Sequence, residues 1–351
     1  MQPARSNSEP LENHVKYQKV QDLNKGSYGF VVLALDRTTG EYVAIKFMER
    51  GEKITKYVER EIINHSNLLH PHIVQFKEVF LTEQHLAIVM EYAPGGDMFQ
   101  YVKSKRGLQE FEARWFFQQL IIGMDFMHKM GVVNRDIKLE NTLLDGSRRP
   151  LLKICDFGYS KHAKDSLPKS KVGTPGYTAP EIISNMRHYD GKMVDLWSAG
   201  VMLYVMLFCE YPFERPADAQ DTRRFQNILQ RILQVDYHLP PNKPVSPECR
   251  DLLTRILVAD PHKRITIPQI QQHPWYLQDL PPGLLTFNDS CLANQQQSAA
   301  VTQQNAEAIR QIVREAKRIH GQPVLETQVS DDCEYIDDII DNESYYNTDT
   351  V

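Results

Sequence analysis

Asp136, Asn141 and Asp156 are three oxygen-bearing side chains whose order and spacing suit phosphoryl transfer. Asp136 and Asn141 stand five residues apart in Asn134-Arg135-Asp136-Ile137-Lys138-Leu139-Glu140-Asn141, and Asp156 opens Asp156-Phe157-Gly158. A carboxylate at Asp136 can accept or orient the proton of an attacking hydroxyl. A neutral oxygen from Asn141 and a charged one from Asp156 are hard donors that suit Mg2+. Lys138, two residues after the base, can neutralise the group in transfer. Isolated Asp and Asn residues are commonly caps and turn formers. Four such groups at these spacings, with Lys46 upstream, are better explained as a catalytic set.

Lys46 ends Val43-Ala44-Ile45-Lys46, an apolar strand in which an unpaired ammonium would be costly to desolvate. Its anion is either nucleotide phosphate or Glu61, which lies in the helix-like segment Val58-Glu59-Arg60-Glu61-Ile62-Ile63. A lysine-to-carboxylate pair of this kind is also a natural switch, because moving the helix breaks it. Upstream, Asn24-Lys25-Gly26-Ser27-Tyr28-Gly29-Phe30-Val31 reads as a hairpin whose amides can fold over phosphates. Its first position is Asn24 in place of glycine, a mild change because asparagine tolerates left-handed backbone angles. Gly173 to Glu181 closes the segment begun at Asp156 and is suited to receiving a polypeptide. Ser166, Ser170 and Thr174 lie inside that segment, and phosphate on one of them could pair with Arg135 and order it.

The elements needed to position these groups are legible in outline. Phe30 to Leu35, Tyr42 to Phe47, Phe76 to Phe80 and Leu86 to Glu91 have the alternation and β-branched or aromatic content of strands. Beyond residue 97 the period becomes helical, with Phe111, Trp115, Phe116, Leu120, Ile121, Met124 and Met127 as one apolar stripe. A strand-rich lobe therefore precedes a helix-rich one, and Pro94-Gly95-Gly96 between them is expected to act as a hinge. Past Trp275, Pro281-Pro282-Gly283 and glutamine clusters suggest that the compact domain ends. Ile309, Ile312, Val313, Ala316 and Ile319 then mark an amphipathic helix that needs a partner surface, ended by Gly321 and Pro323.

With 351 residues, 42% of them hydrophobic, the chain can bury a sizeable core. Five scattered cysteines without a Cys-x-x-Cys pair argue against disulfides and structural zinc. The longest apolar run, Val201 to Phe208, reads as a buried helix rather than a membrane span, and the polar N-terminus lacks a leader's apolar core. These features predict a soluble protein of the cytoplasm, with the nucleus as a second location. Net charge is −5, but residues 331–351 hold eight acids and no Lys or Arg, which leaves +3 for the rest. An acidic tail on a slightly basic body suits an electrostatic contact within the chain better than nucleic-acid or membrane binding.

Taken in order, the motifs from Tyr17 to Tyr276 resemble the catalytic domain of a eukaryotic Ser/Thr protein kinase, with Lys138 marking the Ser/Thr branch. Asp195-Leu196-Trp197-Ser198-Ala199-Gly200 resembles the helix that anchors the catalytic loop, and Arg264 occupies the position that pairs with Glu181. Lys138 to Asp145, Leu152 to Lys161, Val258 to Pro261 and Arg264 to Pro268 are similar to the second subfamily of plant and green-algal kinases related to the sucrose-non-fermenting kinase. The resemblance implies an α+β bilobal protein kinase fold with a small β-rich N-lobe and a larger helical C-lobe. It implies a pocket for ATP at Leu23, Asn24, Gly26, Gly29, Val31, Ala44, Lys46, Glu61, Met90, Glu91, Ala93 and Leu143. Mg2+ would sit on Asn141 and Asp156. Ser170 would be the leading activation phosphosite, followed by Ser166 and Thr174, and Asp97 and Glu140 would favour a basic residue three before the phosphoacceptor. The implied organisation is a flexible 1–16, a catalytic domain 17–276, a linker 277–299, a regulatory helix 300–320 docking beside the Glu61 helix, and an acidic, disordered tail 321–351.

The implied activity is transfer of the γ-phosphoryl group of ATP to Ser or Thr of proteins, in stress or nutrient signalling, by a monomer controlled through activation-loop phosphorylation. An upstream kinase and a phosphatase regulator on the acidic tail are the implied partners. The rival reading is a pseudokinase scaffold that binds nucleotide and partners without turnover, suggested by Asn24 and Asn134. A kinase for a small hydroxylated molecule is disfavoured by Gly173 to Glu181. In such kinases the residue at Asn134 is a histidine that packs beneath the Phe of Asp-Phe-Gly. Asparagine is therefore expected to keep the backbone contact to Asp195, lose packing against Phe157, and weaken ordering of the active state while the chemistry survives.

Overall fold

The computed structural model describes residues 9–26, 29–156, 175–184, 186, 189–298 and 304–318. The chain divides into two compact units, Met1–Lys317 and Arg318–Val351, and only Arg318 of the second is among the described residues. The small lobe begins with β1 (Tyr17–Gly26), β2 (Gly29–Asp36) and β3 (Tyr42–Glu49), followed by helix α1 (Lys56–Ser66), β4 (Phe76–Leu81) and β5 (His85–Glu91). The strands form one antiparallel sheet in the order β1-β2-β3-β5-β4.

Strand alternation divides this sheet into two faces with different tasks. Val32, Ala34, Val43, Ile45, Phe47, Ala87 and Val89 form a small core with Leu11 and Tyr17. The other face carries Val31 opposite Lys46, and Ala44 opposite Met90. A one-residue slip of β3 would bury Lys46 in the small core and expose Ile45. Gly29 is fixed by close packing: its φ is +148°, and a Cβ there would lie 1.9 Å from the Phe47 carbonyl oxygen.

The larger lobe contains α2 (Met98–Lys105), α3 (Glu110–Lys129), the short strands β6 (Thr142–Leu144) and β7 (Leu152–Ile154), α4 (Pro180–Ile183), α5 (Gly191–Phe208), α6 (Arg224–Gln234), α7 (Pro247–Ile256), α8 (Ile267–Gln271) and α9 (Pro274–Leu277). Helix α5 is long and apolar enough to cross a membrane by composition alone, yet 83% of it is buried as the lobe's central helix. Beneath it, Arg264 and Glu181 form a fully buried bidentate pair at 2.7 and 2.8 Å, with Arg264 also donating to the carbonyls of Met193 and Val258. The stripe expected along α3 is buried from Phe116 onward, but Phe111 at its start is 66% exposed.

Three segments depart from expectation. Residues 9–16, expected to be flexible, include buried Leu11, and His14 stacks on Tyr17 and packs at a tilt against Phe80. The expected linker 277–299 contains α10 (Phe287–Ser298), docked through buried Asn288, which hydrogen-bonds His70, the Ile122 carbonyl and Asp125. Gly95 and Gly96 exchange backbone hydrogen bonds with Leu144, Gly95 donating at 2.9 Å and Gly96 accepting at 2.9 Å. A Cβ on Gly95 would meet Leu144 at 2.8 Å, so close approach to β6, more than hinge freedom, requires that glycine.

The last helix, α11 (Ala306–Lys317), packs on α1, β4 and β5. Ile309, Val313 and Ala316 are buried and Ile312 half-buried, while Ile319 lies outside the described residues. Both ends are clamped. The Gln304 carboxamide donates to and accepts from the backbone of Val79 at 2.8 Å each, and Asn305 accepts from the Ala308 amide at 2.8 Å as the helix cap. At the other end Gly51 donates to the Ala316 carbonyl at 2.9 Å and Arg50 to the Glu315 carbonyl at 3.0 Å. These donors satisfy carbonyls that have no partner within the helix.

Candidate active site

The loop from Val132 to Asn141 is held from below by Asp195 of α5, whose side chain is fully buried. Asp195 accepts from the amides of Asn134 at 3.0 Å and Arg135 at 2.7 Å, and His128 of α3 lies 2.8 Å from the same carboxylate. A buried carboxylate surrounded by three such groups is compensated, which lets it act as a rigid post. Arg135 adopts φ 63° within this loop, and its Nε is buried without a hydrogen-bond partner.

On that support Asp136 is locked in one orientation. Its Oδ2 accepts from Lys138 Nζ at 2.9 Å and from Asn141 Nδ2 at 2.7 Å, and Asn141 Nδ2 also donates to the Asp136 carbonyl at 3.1 Å. With its nitrogen engaged by Asp136, Asn141 has its side-chain oxygen as the atom suited to a cation. The Cys155 amide donates to the Asn141 carbonyl at 3.0 Å and thereby brings the start of the Asp156 segment beside the loop. Burial, with Asp156 adding to it, pushes the Cys155 thiol up, so it is a neutral packing group.

Asp156 sits at φ 57° with its Oδ1 3.2 Å from Lys46 Nζ. The expected anion for Lys46 was nucleotide phosphate or Glu61. The structure pairs the lysine with Asp156. Glu61 has a buried Oε2 without a hydrogen-bond partner, and burial pushes its carboxyl up to about 8, with Asp156 adding and Lys46 opposing. Nearby His65 is held near 4 by burial, its Nε2 2.6 Å from the Val74 carbonyl.

Among the expected nucleotide contacts, Val31, Ala44, Lys46 and Met90 share one face of the sheet by register. Glu91 ends β5, and Ala93 is buried in the segment that leads to α2. Leu143 lies on β6 and bridges Asp97. Leu23, Asn24 and Gly26 lie on β1, where Gly26 faces Gly29 across the hairpin. Ser27 and Tyr28 at its tip are outside the described residues, as are Phe157, Ser166, Ser170 and Thr174.

Asp97 caps α2 by accepting from the Gln100 amide at 2.8 Å, and exposed Glu140 accepts from the Tyr211 hydroxyl at 3.4 Å. Asn134 keeps the expected backbone contact to Asp195, its expected loss of packing falls on Phe157 outside the described residues, and its side chain makes two hydrogen bonds that the motif did not indicate, with the Asp136 amide and the Asp156 carbonyl. His128 is a supporting residue that the motifs did not single out, because its contact spans 67 positions. For Asn134 a local signal existed, since an asparagine two residues before a fixed amide is an Asx-turn pattern.

Asp156 and Asn141 supply the oxygen donors that a hard divalent cation requires, so the residues present fit one. A glycine hairpin, a strand lysine and a locked aspartate between a sheet lobe and a helical lobe define an ATP-dependent phosphotransferase. The protein kinase domain family matches residues 17–276. Serine/threonine-protein kinase SAPK9 of Oryza sativa subsp. japonica is 51% identical over 86% of this chain and 82% of its own length. Serine/threonine-protein kinase SRK2E of Arabidopsis thaliana is 52% identical over the same shares, and SRK2A of Physcomitrium patens 53% identical over 80% and 79%. A crystal structure of Rad53 1-466 in complex with AMP-PNP superposes with a TM-score of 0.63 at 29% identity, covering 75% of this chain and 66% of that one. The chain belongs to the protein kinase family and, within it, to the second subfamily of plant kinases related to the sucrose-non-fermenting kinase. It is an ATP-dependent serine/threonine-protein kinase with the bilobal fold of that family, and its substrates are proteins.

Proposed function

We propose that Asp136 is the base of this kinase, and the observation that carries the assignment is its double anchoring by Lys138 and Asn141. With one oxygen held by two donors, the carboxylate meets a substrate Ser or Thr hydroxyl in one orientation, as proton acceptance during attack requires. Lys138, 2.9 Å from that oxygen and 29% exposed, can turn toward the transferring phosphoryl group. Lys46 holds the α and β phosphates, while Val31, Ala44, Met90 and Leu143 enclose the base. Asn141 and Asp156 would hold Mg2+, which when bound would neutralise phosphate charge. In full-length protein, Asp136→Ala is expected to lower kcat for a basic peptide by roughly 10²- to 10⁴-fold with nucleotide binding retained. Undiminished turnover in that variant would remove Asp136 from the role.

Control is inferred to act at two places. Lys46 is paired with Asp156 here, and Glu61 has a buried oxygen without a partner, so α1 is suited to a switch in which Lys46 changes partners. Arg135, with its own unpartnered Nε, is suited to receive phosphate on Ser170, Ser166 or Thr174 after action of an upstream kinase. Helix α11 is inferred to regulate through α1, and the acidic tail to receive a phosphatase regulator. Asp97 and Glu140 are assigned to a basic residue three before the phosphoacceptor. Stress or nutrient signalling in the cytoplasm and nucleus, by a monomer, is the setting that the subfamily resemblance supports.

A further inference from the structure

Asn134 is where the loop bearing the base and the segment bearing a metal ligand are joined by a side chain. The residue is 5% exposed. Its Oδ1 accepts from the Asp136 amide at 3.0 Å, an Asx turn that spans Arg135 at φ 63°. Its Nδ2 donates to the Asp156 carbonyl at 3.1 Å, and Asp156 is itself at φ 57°. Non-glycine residues in this left-handed region keep that conformation when their surroundings hold them. The carboxamide orientation follows from chemistry, because a backbone N–H only donates and a carbonyl only accepts. One orientation satisfies both partners.

We propose that Asn134 is a positioning residue that sets the separation of Asp136 from Asp156 through the two ends of one carboxamide. The inference rests on the assignment of those two aspartates above. The backbone amide of Asn134 already fixes the loop to Asp195, so the side chain is available to register the loop against the opposite segment. Loss of the bridge lets Asp156 move relative to Asp136. The consequence falls on magnesium-dependent nucleotide binding and on kcat, with the peptide surface left intact.

The experiment uses full-length Asn134→Asp and Asn134→Leu, both with the same number and branching of side-chain heavy atoms as asparagine. The aspartate keeps the acceptor for the Asp136 amide but sets a carboxylate against the Asp156 carbonyl, whereas leucine removes both bonds. Calorimetry of ADP binding with and without Mg2+ is paired with kcat, peptide KM and melting temperature. In both variants the Mg2+ enhancement of ADP affinity and kcat are expected to fall about tenfold or more, with ADP affinity in the absence of metal and peptide KM within about twofold of the unmodified protein. If the enhancement and kcat persist while only melting temperature changes, Asn134 is a packing residue and the proposal is overturned. Should the leucine variant fail to fold, the aspartate variant decides by the same readings. Asp156→Ala is the control: retained enhancement there removes the underlying site assignment, whereas its loss there alone removes only the bridge.

Discussion

Ile309→Ala on α11 tests whether this helix is a detachable strap on the small lobe. Ile309 is fully buried, and truncating such a residue to alanine costs about 2–5 kcal/mol. A 12-residue helix has little stability of its own, so docking supplies nearly all of what keeps α11 formed. A loss of that size is comparable to the docking free energy of one helix and smaller than the stability of a domain of this length. The expected result is therefore local release. Val79 loses the Gln304 carboxamide, Gly51 loses the Ala316 carbonyl, and α1 loses its outer neighbour. Hydrogen exchange followed by mass spectrometry should show amides of residues 306–317 exchanging roughly 30- to several-thousand-fold faster, the factor that corresponds to 2–5 kcal/mol. Peptides from α1 should accelerate less, and those from α5 should be unchanged. Unchanged exchange in α11 accompanied by faster exchange everywhere would refute the reasoning, because α11 would then unfold only with the whole lobe.

Two further outcomes follow from the same geometry. The ring of His70 accepts from the His72 amide at Nδ1 and therefore carries its proton on Nε2, which donates to Asn288 Oδ1 at 3.1 Å. Burial, with His72 adding, holds this ring down to about 3 against an ordinary value of 6.5. Between those values the unfolded chain binds the extra proton, so stability rises with pH across that window and is lost as pH falls from 6.5 toward 3. His70→Gln should flatten the dependence of melting temperature on pH between about 6.5 and 4; an unaltered slope would assign the acid sensitivity to other groups. For substrate choice, Asp97→Asn is preferable to alanine because asparagine can still cap α2. Together with Glu140→Gln it should reduce kcat/KM for peptides with Arg three before the phosphoacceptor by about tenfold, the scale of 1.4 kcal/mol, with little change for peptides lacking it. Equal effects on both peptide classes would count against a specificity role.

Short-range chemistry was legible in the sequence, and contacts made by distant partners were not. The spacing of Asp136, Lys138 and Asn141 forms a compact turn, so the hydrogen bonds to Asp136 Oδ2 follow from local geometry. Strand alternation likewise put Lys46 on the face opposite Ile45. Helical periodicity gave α3 a buried direction but could not reveal that Phe111, in a first turn anchored through Glu110 to Ser246 and Trp275, is itself exposed. Composition misread 277–299 because α10 docks through a buried polar residue, Asn288, which contributes nothing to an apolar pattern.

Asn134 combines both kinds of information. Its Asx turn to Asp136 spans two positions and belongs to the local pattern, whereas its bond to Asp156 spans 22 positions and depends on β6 and β7 bringing the two segments together. A histidine-to-asparagine change read from the motif alone registers only the missing ring. The fold converts the same change into a donor and an acceptor, each directed at the backbone of an aspartate of the candidate site. Loss of a ring and gain of a polar bridge therefore act on different quantities: the first on apolar packing, the second, under the proposal above, on how Asp136 and Asp156 are spaced. Under the proposed roles of Asp136 and Asp156, a substitution that departs from the family's motif is compatible with an intact phosphotransferase, because the carboxamide joins the backbones of the two aspartates by hydrogen bonds.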